Sequence, residues 1–163
     1  MGASRSSDSN GLSNMSDTGA LFSNGLLFLV PLVYVVIVAD QPLVALGLRN
    51  LLTAIAPNMH ATVVAPSWSY AVSACRRDPA PHLLVADLDL IGVDRHQLAQ
   101  DLCTLARSTP VLALTGSPTG EEAQTFQGPS MGYGGKAASI QELKQALATS
   151  LSCSAHRGCC VDS

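Results

Sequence analysis

Basic residues are scarce in this chain of 163 residues: Lys and Arg number 9 against 12 Asp and Glu, for a net charge of -3. A nucleic-acid surface needs a basic patch or stripe. The densest basic cluster here is Arg76-Arg77, so no direct nucleic-acid binding is expected. Aromatic residues are also few, at 4%, and charged residues make up only 13%. Hydrophobic residues reach 47%, which excludes wholesale disorder and leaves a core to be built mainly from Leu, Val and Ala. Paired CxxC spacing is absent. Of the five cysteines, Cys75 and Cys103 lie in apolar periodic segments and read as small core hydrophobes. Cys153, Cys159 and Cys160 accompany His156 near the carboxyl terminus, where incidental thiols are a simpler reading than a metal site. No disulfide framework emerges, which fits a reducing, cytoplasmic compartment.

An uninterrupted membrane span is missing as well. Ala20 to Ala39 carries no charge and has the length to cross a bilayer. Ser23-Asn24-Gly25 breaks the run, Pro31 breaks it again, and the β-branched end from Leu32 to Val38 has the character of a buried parallel strand. A signal peptide is disfavoured because the first residues hold one Arg against two Asp. The expected organisation is a disordered or weakly ordered extension over residues 1–31, one domain over 32–150 and a tail over 151–163. That tail is too short for a helix-turn-helix.

The central region alternates strand and helix. A strand is expected from Val33 to Ala39, followed by a helix opened by Pro42 with Leu43, Leu46, Leu48, Leu51, Leu52 and Ile55 on a wide apolar face. Pro57-Asn58 ends it. A second strand covers Ala61 to Ala65, and a second helix covers Ser67 to Arg77, with Trp68 over its amino-terminal end. After the loop Asp78-Pro79-Ala80-Pro81 comes a third strand, His82 to Ala86, then a helix from Arg95 to Arg107 with Leu98, Leu102 and Leu105 on one face. Pro110 to Leu114 is a fourth strand, Glu121 to Gln127 a short helix, and Met131 to Gly134 a fifth strand weakened by glycine. Ser139-Ile140-Gln141-Glu142 has the form of a capping box opening a last helix that runs to about Ser150.

Apolar strands separated by helices imply an α/β fold: a doubly wound, five-stranded parallel sheet with helices on both faces. Ligands of such sheets bind at the carboxyl ends of the strands, near the topological switch point. Four chemically capable residues follow strands directly: Asp40 the first, Asp87 the third, Thr115 the fourth and Lys136 the fifth. A carboxylate can attack a phosphoryl group to form an acyl phosphate. A divalent cation held by carboxylates and a lysine ammonium can neutralise the phosphoryl oxygens, and a hydroxyl can hydrogen-bond one of them. Two neighbouring carboxylates repel until such a cation arrives. Taken singly, each of these residues is better read as a loop, cap or surface residue; the joint placement carries the functional reading.

The stretches VVIVADQPLVALGLRNLL, PHLLVADLDLIGVD, TPVLALTGS and GYGGKAASIQEL resemble the receiver domain of two-component response regulators, closest to those of the LuxR/NarL type but without the DNA-binding domain. The resemblance spans about residues 33–150 and implies the flavodoxin-like receiver fold. It implies that Asp87 is the phosphoacceptor and that Asp40 and Asp87 hold Mg²⁺ together with the backbone carbonyl of Asp89. Thr115 and Tyr133 are implied as the switch pair, and Lys136 as the lysine on the phosphoryl group.

It further implies a histidine kinase as phosphodonor, a downstream protein or a second copy as partner, and a signalling rather than an enzymatic role. The chain departs from the family pattern at three places. Ala39 stands where an acid is usual, Ile91 replaces a proline after the acceptor loop, and Gly134-Gly135 precedes Lys136. Ala39 weakens the expected Mg²⁺ site. These departures leave two alternatives open. One is a pseudo-receiver working as a phosphorylation-independent interaction module; the other is a truncated remnant of a DNA-binding regulator.

Overall fold

The computed structural model describes residues 34–57, 61–126 and 130–152. Expectations for residues 1–31, for Val33, for Gln127 and for Cys153, His156, Cys159 and Cys160 lie outside the described residues. Among the described residues five strands alternate with five helices: β1 (Tyr34–Val38), α1 (Pro42–Ile55), β2 (Ala61–Ala65), α2 (Trp68–Cys75), β3 (Leu83–Asp87), α3 (Arg95–Leu105), β4 (Val111–Thr115), α4 (Gly120–Thr125), β5 (Met131–Gly135) and α5 (Ile140–Ser152). The strands form one parallel sheet in the order β2-β1-β3-β4-β5. The expected doubly wound sheet is therefore present, and α5 runs two residues past its expected end at Ser150.

β1, β3 and β4 are buried on both faces, which is why they read as continuous apolar runs. Val36, Val38, Leu84, Ala86, Val111, Ala113 and Met131 meet Ala71, Ala74 and Cys75 of α2 and Leu98, Leu102 and Leu105 of α3. Val35, Ile37, Leu83, Val85, Leu112 and Leu114 meet Leu48, Leu52 and Ile55 of α1 and Leu143, Leu147 and Leu151 of α5. Cys75 is a buried free thiol and Cys103 a half-buried one, as their apolar settings imply.

The wide apolar face expected for α1 is narrower in the structure. Ala45, Leu48, Leu52 and Ile55 are buried, but Leu43 is 82% exposed and Leu46 51% exposed. At about 100° per residue those two leucines fall on the side of the helix away from Leu48. Trp68 also differs from expectation: instead of only covering its own helix end, its indole Nε1 donates to Asp101 Oδ2 at 2.9 Å and ties α2 to α3.

Four of the five described helix starts are held by side chains; α1 opens on Pro42 without a side-chain cap. Ser67, Asp94 and Thr119 accept from the amides of Tyr70, Gln97 and Glu122. The expected capping box forms on α5: Ser139 Oγ accepts from the Glu142 amide at 3.2 Å, and Glu142 Oε2 accepts from the Ser139 amide at 2.7 Å. Glycine in β5 has a positive role. A Cβ on Gly132 would lie 2.0 Å from the carbonyl oxygen of Ala146, so the missing side chain lets α5 lie directly on the strand.

Candidate functional site

The strand order reverses between β1 and β3, and the polar residues gather at the carboxyl ends of β1, β3, β4 and β5. Asp87 is the last residue of β3 and is only 2% exposed. Its Oδ1 accepts from the Asp89 amide at 2.9 Å and lies 2.7 Å from Lys136 Nζ. Lys136 is fixed from behind, because its amide donates to the Thr115 carbonyl at 2.7 Å as β5 ends beside β4. The ammonium spans two acids, with Asp89 Oδ2 at 2.9 Å. Thr115 is fully buried and donates its hydroxyl to Asp89 Oδ1 at 3.1 Å. The Gly116 amide donates to Asp89 Oδ2 at 2.7 Å.

Three of the expected site residues, Asp87, Thr115 and Lys136, are thus brought together, and Asp89 joins them in a way the sequence did not indicate. Its side chain, not only its backbone, enters the site. Spacing alone could not reveal this, since an acid two residues beyond a strand usually faces water. The Gly116 amide was likewise missed, because a backbone donor leaves no mark in side-chain chemistry.

Asp40 takes a different place. Its Oδ2 accepts from the Ile91 amide in the loop after β3. Val38 pairs with Ala86, so the next residues on the two strands are Ala39 and Asp87; Asp40 lies one step further out and is exposed. The cation beside the carboxylates in this structure is Lys136, and it pairs with Asp87 and Asp89 rather than with the expected pair Asp40 and Asp87. Burial alone would raise the Asp89 carboxyl, but Lys136, the Gly116 amide and Thr115 outweigh it and hold the group below its ordinary value. Burial would likewise lower Lys136, and its bonds to Asp87 and Asp89 overcome this and hold the ammonium above its ordinary value.

Tyr133 shares a sheet face with Thr115. It pairs with Ala113, two residues back along β4, while Thr115 pairs with Gly135. Its ring stacks on Phe126 with centroids 6.3 Å apart, and its hydroxyl donates to Glu122 Oε2 at 3.3 Å. Glu122 also pairs with Arg95 Nη2 at 2.5 Å, so the tyrosine is linked to both α4 and α3.

The acids give a sparse site for Mg²⁺. Among the described residues no group of three His, Cys, Asp or Glu side chains is positioned to hold a metal ion. Position 39 is alanine, Asp40 is engaged by Ile91, and Asp87 already has an ammonium beside it. Mg²⁺ keeps several waters and takes one or two carboxylates, so Asp40 and Asp87 are the side chains that would hold a weakly bound ion here.

No protein-family model and no curated protein matches the chain. Solved structures do. The N-terminal domain of a response regulator/sensory box/GGDEF 3-domain protein from Carboxydothermus hydrogenoformans superposes with a TM-score of 0.59 at 23% identity, over 77% of this chain and 98% of that one. A LuxR family DNA-binding response regulator from Silicibacter pomeroyi gives 0.57 at 24% identity, over 74% of this chain and 93% of that one. The signal receiver domain of a DNA binding response regulator (merR) from Colwellia psychrerythraea 34H gives 0.57 at 18% identity, over 71% and 94%.

The chain has the receiver fold. Its receiver sheet ends with Asp87, Thr115 and Lys136 in contact distance of a common centre, through Asp89. Two features mark these strand ends: Ala39 stands beside the buried Asp87, and the Asp89 carboxylate is engaged by the Thr115 hydroxyl, the Gly116 amide and the Lys136 ammonium. No helix among the described residues is long and apolar enough to cross a membrane.

Proposed function

We propose that the domain is a phospho-accepting module of a phosphorelay, taking a phosphoryl group from a histidine kinase onto Asp87. The observation that carries the reading is the ion pair of 2.7 Å between Lys136 Nζ and Asp87 Oδ1 at the buried carboxyl end of β3. A carboxylate oxygen of Asp87 would attack phosphorus, the P–N bond to the kinase imidazole would break, and its electron pair would stay on the imidazole nitrogen. Lys136 would neutralise charge on the phosphoryl oxygens, and Thr115 and the Gly116 amide would donate hydrogen bonds to them. Mg²⁺, held by Asp40, Asp87 and the Asp89 carbonyl, would add positive charge to the same oxygens.

Recruitment of the Thr115 hydroxyl would shift the balance between two packings of the neighbouring face, where Tyr133 links to Glu122 and Arg95. That face would contact a downstream protein or a second copy of the chain. In this reading the domain acts in the cytoplasm, serves as a phosphoryl acceptor rather than an enzyme, and does not bind nucleic acid itself.

A second reading, the pseudo-receiver, is favoured by Ala39 and by the engagement of Lys136 and Thr115 with Asp89. Labelling with acetyl phosphate and Mg²⁺ separates the two. The phospho-acceptor is labelled, Asp87→Asn is not, and Ala39→Asp is labelled more readily. A wild-type chain that stays unlabelled while Ala39→Asp gains label establishes the pseudo-receiver. Absence of label from both at high Mg²⁺ removes phosphorylation altogether.

A further inference from the structure

Three donors from separate parts of the fold converge on one carboxylate. The Thr115 hydroxyl ends β4, the Gly116 amide opens the next loop, and the Lys136 ammonium follows β5; they reach Asp89 at 3.1, 2.7 and 2.9 Å. Both carboxylate oxygens are used. An acid on a loop, with 35% of its side chain exposed, would be expected to face water, yet this one turns inward onto the donors. The backbone makes room for it: a Cβ at Gly116 would lie 3.2 Å from Asp89 Oδ2, closer than such contacts normally come. The carboxylate is bound by the chain as an anionic ligand would be. A hydroxyl, an amide and an ammonium directed at two oxygens of a planar anion are the groups that would also receive the oxygens of a phosphoryl group on Asp87, whose Oδ1 shares the same lysine at 2.7 Å.

We infer that the Asp89 carboxylate is an internal competitor: it occupies the oxyanion donors of the site and must turn out before an external phosphoryl group can use them. The inference deepens the phospho-acceptor reading and in its labelling arm rests on it. Asp87 and Thr115 are both nearly inaccessible, at 2% and 0% exposure, so an incoming anion first meets the partly exposed side chains of Asp89 and Lys136. Turning Asp89 outward exposes Lys136, Thr115 and Gly116 in one movement. Removing its carboxylate has the same effect permanently.

The test compares the wild-type chain with Asp89→Ala and Asp89→Asn, each first checked for a cooperative thermal transition. Asparagine keeps one carbonyl acceptor for the hydroxyl and amide but loses the charge, so it should fall between aspartate and alanine. Two readings are taken at constant ionic strength. One is the shift of the melting midpoint with inorganic phosphate; the other is the rate of acyl-phosphate formation from acetyl phosphate.

Asp89→Ala should respond to phosphate at about one-tenth of the concentration the wild type needs or lower, and label about tenfold faster, the scale of losing one charge-assisted competitor. If phosphate binding tightens but no variant is labelled, the competitor role stands and the phospho-acceptor reading falls. If the wild type is labelled, and folded Asp89→Ala neither binds phosphate more tightly nor labels faster, the competitor role is overturned and the phospho-acceptor reading stands. Should Asp89→Ala fail to fold, the same two outcomes for Asp89→Asn decide the matter.

Discussion

At the scale of single residues, Asp89 and Lys136 set a dependence on pH whose signs can be worked out. The Asp89 carboxyl titrates lower in the folded chain than in the unfolded one. The folded state therefore binds fewer protons there, and the stabilisation is complete above the unfolded value of about 3.9 and lost as pH falls through the lower folded value. Lys136 has the opposite sign: its stabilisation is complete below about 10.4 and lost as pH rises through the higher folded value. Asp89→Asn should therefore flatten the acid limb of a plot of melting temperature against pH below about pH 4, and Lys136→Met the alkaline limb above about pH 10. An acid limb of unchanged slope in Asp89→Asn would mean that its contacts make no net contribution.

The candidate site was partly legible at this scale. Asp87 and Thr115 each end a run of apolar residues, and such a run is visible in sequence because both faces of a central parallel strand are buried, whereas Lys136 follows the glycine-rich edge strand β5. Asp40 was expected directly after β1 but lies two residues beyond its end, and its bond with Ile91 depends on the path of a loop fifty-one residues away. The inward turn of Asp89 depends on three donors from two other strands, and nothing local in LDLIG encodes it.

Among the elements, α1 separates pattern from packing. Leu52 is 3% exposed, so Leu52→Ala should cost about 2–5 kcal/mol from lost burial and the cavity left behind. Leu43, on the opposite side, is 82% exposed, and Leu43→Gln should fall within about 0.5 kcal/mol of wild type. Urea unfolding measures both, and equal losses at the two positions would mean that the assigned face of α1 is wrong.

A second element-scale prediction concerns β5. The Cβ of an alanine at position 132 would meet the Ala146 carbonyl at 2.0 Å, and backbone cannot step aside as a flexible side chain can. Gly132→Ala should destabilise by about 1–3 kcal/mol, the range for overpacking, although alanine is the better residue in an ordinary strand. A neutral or stabilising change on denaturant titration would show that α5 can move away at little cost. From sequence the glycines of MGYGG read only as a weakness; the need for close approach became visible once α5 lay on the strand.

For the molecule as a whole, the weak acidic site predicts how Mg²⁺ should couple to folding. An ion that binds the native state alone stabilises it by mass action, by about 1.4 kcal/mol when its concentration is ten times the dissociation constant. With Ala39 and only Asp40 and Asp87 as carboxylate donors, the rise in melting temperature should appear only at high Mg²⁺. Ala39→Asp, which places another acid beside Asp87, should bring the same rise at lower Mg²⁺. A calorimetric series with NaCl as the ionic-strength control measures this, and the absence of any Mg²⁺-specific shift in Ala39→Asp would argue against a cation site at these strand ends.

The sequence by itself determined the alternation of strands and helices, the burial of β1, β3 and β4, the capping box on α5 and the residues that end the strands. Each of these is written in local periodicity: continuous apolar runs for central parallel strands, a repeat of 3.6 residues for helices, and paired hydroxyl and carboxylate at a helix start. Tertiary structure alone decided which side of α1 is buried, why β5 requires Gly132, and that Lys136 bridges Asp87 and Asp89 while Asp40 is held at Ile91. These depend on atoms brought together from β1, β3, β4, β5 and α5. The direction of a charged side chain follows the nearest opposite charge and hydrogen-bond donors in space, whatever their distance along the chain.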